Sequence, residues 1–365
     1  MEKRLKAWGS NRAGQLGDGT WTDFRTTAST VLGLTSAEVV KIAAGGDGAT
    51  KSHGLALLTD RTIQSWGSND AGQLGDGSVF SHNAPGQVVN LSNATDIAAG
   101  GTHSLALLAD QTVVAWGKNK QGQLGNGTNA DSSVPLRVEG LNQVIAIAAG
   151  LHHSLALRED GTVWAWGHND AGQLGDGTTD NRNVPAPVVN LTGASRIAAG
   201  GKHSIALIGP VGGDGTAVKA WGANASGQLG DGTLENRHRP VDTALGTGVI
   251  TLIAAGGNHS LAVTGSDHRL HTWGHNGSGQ LGDGTTDNRN KPVPVPGLIG
   301  ITLVAGGREH TAVLFSDDTV CSWGHNGSGQ LGNGTTADSS TPVTGLTALT
   351  GVDKLAAGGD FTIAN

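Results

Sequence analysis

A chain of 365 residues with 61 glycines, only 15% charged residues, no tyrosine, one cysteine and one methionine is built from turns and small packing residues. The glycines keep no three-residue period, which excludes collagen, and the lone Cys321 excludes a disulfide scaffold or a cysteine-based zinc site. A net charge of −7 lacks the basic footprint of a nucleic-acid binder, and no apolar run approaches the ~18 residues of a membrane span.

The N-terminus MEKRLKAWG runs straight into repeat sequence, so no signal peptide is read and a cytoplasmic protein is expected. Arg4–Trp8 is the first predicted strand. Its phrase Trp-Gly-x-Asn returns at Trp66, Trp116, Trp166, Trp221, Trp273 and Trp323, each time followed by Gly-Gln-Leu-Gly, then Asp-Gly or Asn-Gly, then Thr or Ser. A second phrase, apolar-Ala-small-Gly-x-x-His-Ser-x-Ala-Leu, begins at Ile42, Ile97, Ile147, Ile197, Ile253, Val304 and Leu355. Repetition at this period signals an array of supersecondary units.

One unit parses into four strands. Strand A is predicted at Ile97–Gly100, strand B at His103–Leu107 and strand C at Thr112–Trp116. A long loop then leads to a short outer strand D near Pro135–Val138. Apolar residues alternate with small ones in B and C, as strands packed on both faces require. Asp-Gly and Asn-Gly supply the turns with positive φ. Four strands and seven copies predict an all-β, seven-bladed propeller of antiparallel blades. The chain starts at a strand C and stops at a strand B, Phe361–Ala364. Residues 4–8 are therefore expected to pair with 361–364, closing the ring and removing an open edge. The expected domain is single, 1–365, with its closing blade drawn from 1–35 and 352–365.

WGxNxxGQLGDGT and AAGGxHSLAL resemble the repeats of the regulator of chromosome condensation family over essentially the whole chain, and a bacterial member is expected. The resemblance implies the propeller. It leaves the task open, since the family includes a nuclear guanine-nucleotide exchange factor, a plant UV-B photoreceptor and a secreted bacterial β-lactamase inhibitor. Only Trp21 and Trp164 lie outside the tryptophan motif, which argues against a light sensor. The absence of a basic tail argues against the exchange factor, and the missing leader and long polar loops argue against the inhibitor.

The motif tryptophans are expected to fill the space between blades, and the motif histidines to be buried hydrogen-bonding groups. What departs from the repeat carries the functional expectations. The residue before each motif histidine reads Ser52, Thr102, His152, Lys202, Asn258, Glu309 and Asp360, and is expected to ring the axis on the face of the A–B and C–D connections. Trp21, Phe24, Phe80 and Phe361 are expected to form an aromatic binding sector on that face, beside a loop enlargement at Gly46–Ser52. The first reading is a binding module for a protein or other ligand. Its alternative is an acid–base enzyme of cyclase or lyase type on a small molecule, with His152, Lys202, Glu309 and Asp360 moving protons at the axial mouth. No cofactor and no metal are expected, and no oligomeric state is read.

Overall fold

In the computed structural model, which describes residues 4–246, 248–265, 268–344, 349 and 351–365, twenty-eight strands form seven four-stranded antiparallel sheets arranged as blades around one axis. Among the described residues there is no helix. Blade two shows the unit: strand A is Ala94–Ala99, B is His103–Leu108, C is Val113–Gly117 and D is Ser132–Arg137. The predicted strands fall in place, with A and D each starting three residues earlier than the sequence suggested.

The ring closes as expected. In blade seven the N-terminal strand Arg4–Ser10 pairs with Phe361–Ala364 in the register Lys6–Ala364, Ala7–Ile363, Trp8–Thr362 and Gly9–Phe361. Phe24–Thr35 is the outer strand of this blade and Leu355–Ala357 the inner one.

The core lies in the seams between blades rather than within one central mass. Trp116 of blade two is fully buried with Leu55, Leu57 and Ile63 of blade one, and Trp166 of blade three with Leu105, Leu107 and Val113 of blade two. Each indole also donates to the main chain of the blade before it, as Trp166 Nε1 does to Gln123 O at 2.9 Å. One large side chain per seam, with its single polar atom satisfied, is what the motif tryptophan supplies.

Near the axis the blades approach too closely for side chains. A Cβ added at Gly45 would lie 2.2 Å from Gly100 O, at Gly100 2.6 Å from Gly150 O, and at Gly150 2.5 Å from Gly200 O. The same contact continues through Gly200, Gly256, Gly307 and Gly358, whose Cβ would lie 3.0 Å from Gly45 O and so complete the circle. Glycine stands at this position in all seven repeats because the neighbouring carbonyl leaves no room for anything else.

Candidate functional site

The long C–D loops that dominate one face are each tied by the asparagine of Trp-Gly-x-Asn. In blade two, buried Asn119 accepts from Leu124 N (2.9 Å) and turns its amide toward Asn126 Oδ1, Thr128 O and Ala130 O at 3.0–3.2 Å. The glutamine of Gly-Gln-Leu-Gly fixes the next seam through its carbonyl. Gln123 O accepts both Trp166 Nε1 and Ser154 Oγ at 2.9 Å. Ser154 Oγ has thereby given up its hydrogen, so its partner His103 must donate from Nε2 (2.9 Å) and stay neutral, with Nδ1 bare. Burial agrees with that state, holding His53 and His203 down to about 4 and His153, His259 and His310 to about 3. The motif histidines are a structural collar, as the repeat implied.

The residues expected to ring the axis stand elsewhere. Ser52, Thr102 and Asp360 are buried, His152, Lys202 and Glu309 are half-buried, and only Asn258 is exposed. Their shared task belongs to the backbone. Ser52 O, Thr102 O, His152 O and Asp360 O accept from the amides of Ser68, Lys118, His168 and Ser10, so the A–B turn is pinned to the start of the C–D loop on the same face. The residues that do surround the axis are one position earlier: Gly101, Leu151, Gly201, Gly257 and Arg308, with the alanines and glycines before them. They enclose a cavity of about 150 Å³.

The four residues expected to move protons are separately engaged. Lys202 Nζ meets Asp170 at 2.6 Å. Glu309 Oε2 accepts from Ser278 Oγ at 3.4 Å. His152 sits edge-on to His168 with ring centres 6.2 Å apart, and burial together with the Lys118 charge lowers its pKa. Asp360 is raised by burial against the pull of Arg308, whose Nε lies 3.3 Å from its Oδ1. Glu309 does raise Asp360 further, in the direction expected of paired carboxylates, but Asp360 is covered by the Gly46–Ser52 loop rather than open to a substrate. The structure does not gather these four groups around one point. Among the described residues no cluster of three His, Cys, Asp or Glu could hold a metal ion.

Of the four aromatics expected at the surface, three are exposed and one is not. Trp21 is 55% exposed and Phe80 74%, on the C–D connections of blades seven and one, and Phe24, 41% exposed, opens the outer strand of blade seven. The blade-seven connection reaches the outer strand of blade one, where Gly19 N donates to Asn83 O at 2.8 Å. Phe361 is not part of the surface. It is fully buried in the seam core with Leu16, Trp66 and Ile363, in the place other blades give to the collar histidine. Val79 beside Phe80 is also 54% exposed, and the sequence reading missed it. A signal was available, because the matching loops of blades two, three, five and six carry Asn129, Thr179, Thr286 and Thr336, although blade four carries Leu234, itself 58% exposed. A second varied series was also missed, the x of Trp-Gly-x-Asn, which brings His168, His275 and His325 to the same face.

Comparison with known proteins gives the same architecture. The profile of the RCC1-like domain matches residues 4–364. Local matches include the ultraviolet-B receptor UVR8 of Arabidopsis thaliana, 34% identical over 90 residues, and the human probable E3 ubiquitin-protein ligase HERC6, 35% identical over 101 residues. These cover 24% and 27% of this chain and only 20% and 9% of the relatives. Among solved structures, Prp20p of Saccharomyces cerevisiae superposes with a TM-score of 0.86 at 25% identity, over 100% of this chain and 91% of Prp20p. Human WBSCR16 superposes equally well, with a TM-score of 0.86 at 22% identity, over 100% and 98%. With the profile spanning nearly every residue, the chain belongs to the RCC1-like domain family.

Proposed function

We propose that this propeller is a protein-binding module whose partner seats on the face of the A–B and C–D connections, anchored in the sector of Trp21, Phe24, Val79 and Phe80. The observation that carries the reading is the exposure of four large apolar side chains at the C–D segments of two adjacent blades, where the matching loops of the other blades expose only Leu234 of that kind. Isolated exposed apolar residues are ordinary, whereas a group of aromatics in one place is typical of binding anchors. The relatives lend the class of partner: Prp20p is described by its binding properties to Gsp1p and histones, and yeast RCC1 has been solved with Kap60 bound. The axial cavity, at about 150 Å³, falls below the ~300–1,000 Å³ usual for a small-molecule site, which removes support from the cyclase or lyase reading.

The test is retention of protein from an extract of the source cells on immobilised wild type, Trp21→Ala/Phe80→Ala, and Val211→Ser on the opposite face. A partner kept by wild type and Val211→Ser and lost from the double variant supports the reading. Truncating such anchors weakens a complex by about 2 kcal/mol or more, on the order of thirtyfold in affinity. Equal retention by all three proteins overturns it.

A further inference from the structure

Six of the seven seams contain the same buried bond, a collar histidine donating to a serine or threonine of the next blade: His53 to Ser104, His103 to Ser154, His153 to Ser204, His203 to Ser260, His259 to Thr311 and His310 to Thr362, all at 2.9–3.0 Å. The seventh seam, between blade seven and blade one, has neither half. Phe361 replaces the histidine and Gly54 replaces the hydroxyl residue. The two losses answer each other, because a histidine facing Gly54 would bury an N–H without an acceptor. Gly54 is also sterically fixed, since a Cβ there would lie 2.6 Å from Trp66 Cε2.

This same seam is where blade one carries its enlarged A–B turn, and the extra residues cross it. Ala49 O accepts from Ser10 Oγ (3.0 Å) and from Gln15 Nε2 (2.8 Å), both of blade seven. Gly48 lies over the chain at Gly359, where an added Cβ would come within 2.9 Å of Gly48 N and O. Ser52 Oγ donates to Gly48 O at 2.6 Å and holds the loop in shape. In blades one, three and five the matching glutamine amide stays at home, with Gln73 donating to Ser68, Gln173 meeting His168 and Asp170, and Gln280 meeting His275, while the amides of Gln123 and Gln330 make no bond among the described residues. Only at the closing seam is that amide turned across to the neighbouring blade among the bonds described.

We propose that Gly46–Ser52 is a strap, which makes over the closing seam, through the half-buried carbonyl of Ala49, the polar connection that the other six seams make in their interior. A collar bond, with both partners buried, breaks only with loss of its packing, whereas the strap bonds run from buried Ser10 and Gln15 to the half-buried carbonyl of Ala49, where water can take over the acceptor. The closing seam is therefore the place where the ring opens, and strap release is a step separate from unfolding of the blades. The aromatic sector straddles this seam, with Trp21 and Phe24 on blade seven and Val79 and Phe80 on blade one. A partner spanning them would hold the ring shut from outside, and this last consequence rests on the proposed function.

The experiment is hydrogen exchange followed by mass spectrometry on the full chain. Deleting residues 47–51 leaves Ala-Ala-Gly-Gly-Ser-His, the turn the other repeats already use, and Ser10→Ala removes one of the two strap bonds. The expected result is exchange at least tenfold faster in residues 361–364, 4–10 and 39–46 of the deletion variant, and several-fold faster in Ser10→Ala, with blades three to five unchanged. Unchanged exchange at the closing seam in both variants, or an equal rise in all seven blades, would overturn the strap. Should the deletion variant fail to fold, Ser10→Ala alone decides. Trp21→Ala/Phe80→Ala is expected to exchange as wild type, so a partner that binds elsewhere leaves this result standing.

Discussion

Consecutive residues meet opposite fates on this propeller. His103, His153 and His203 are sealed in seams and fixed by bonds to the next blade, while Thr102, His152 and Lys202, one position before each, differ in every repeat. The difference teaches what variation means in a repeat. The histidine is constant because its side chain does the structural work. The preceding residue varies because its backbone carbonyl does, and any side chain can hang from it. Freedom from constraint is enough to account for the variation, with no ligand required to explain it.

Acid breaks the comparison most severely. Five collar histidines bind a proton near pH 6.5 when unfolded but only near 4 or 3 when folded, and burial holds His103 well below its usual value too, so the unfolded chain holds more protons between those values. Stability is complete above pH 6.5 and falls as pH drops toward 4, at a rate set by as many as six protons. Melting temperature measured from pH 8 to 4 should be flat at first and then drop steeply. A melting temperature that is level down to pH 5 would show that the collar is not buried and neutral.

Trp116→Ala comes next, with an expected cost of about 3–5 kcal/mol in urea unfolding, because it empties a seam and leaves Gln73 O with only Ser104 Oγ as donor. A pair of neighbours then sharpens the contrast. His203→Ala strands Ser260 in a closed seam and should cost about 1–3 kcal/mol. Lys202→Ala breaks only a half-exposed ion pair with Asp170 and should cost under about 1 kcal/mol. Equal losses from the two would make the varied ring structural after all.

The smallest effect concerns the C–D loops, which come in two forms. Where the loop has aspartate the outer strand opens with a cation, as in Asp176–Arg182, Asp231–Arg237 and Asp283–Arg289; where it has Asn126 or Asn333 the matching residue is Ser132 or Ser339. Arg237→Ser should leave the shielded Asp231 carboxylate unmatched and cost about 1 kcal/mol, and adding Asp231→Asn should recover most of that. Thermal denaturation of the single and double variants reads the cycle, and no recovery would mean the two forms arose independently.

The blade count, the closing strands and the roles of tryptophan and histidine were legible because each is a periodic demand repeated seven times. Phe361 misled because a departure from the repeat read as function. Its explanation was in the chain, but three hundred residues away at Gly54, and only the neighbouring blade brings the two positions together. Trp21, Phe24 and Phe80 were legible because aromatic residues in polar loops have nowhere to hide. The axial lining was not, since a displacement of one residue, from Lys202 to Gly201, decides which position faces the axis, and turn geometry rather than composition sets it.

The glycine circle around the axis acts as a gauge for the whole molecule. Its seven contacts are in series, so any widening at one is added to the rest. A methyl group at a single position pushes one carbonyl aside, whereas methyl groups at all seven would lengthen the inner circumference by several ångströms. No loop on the rim could absorb that slack. The ring would have to gape at its weakest joint or admit another blade, and the choice of seven is thus written in the one residue that contributes no side chain.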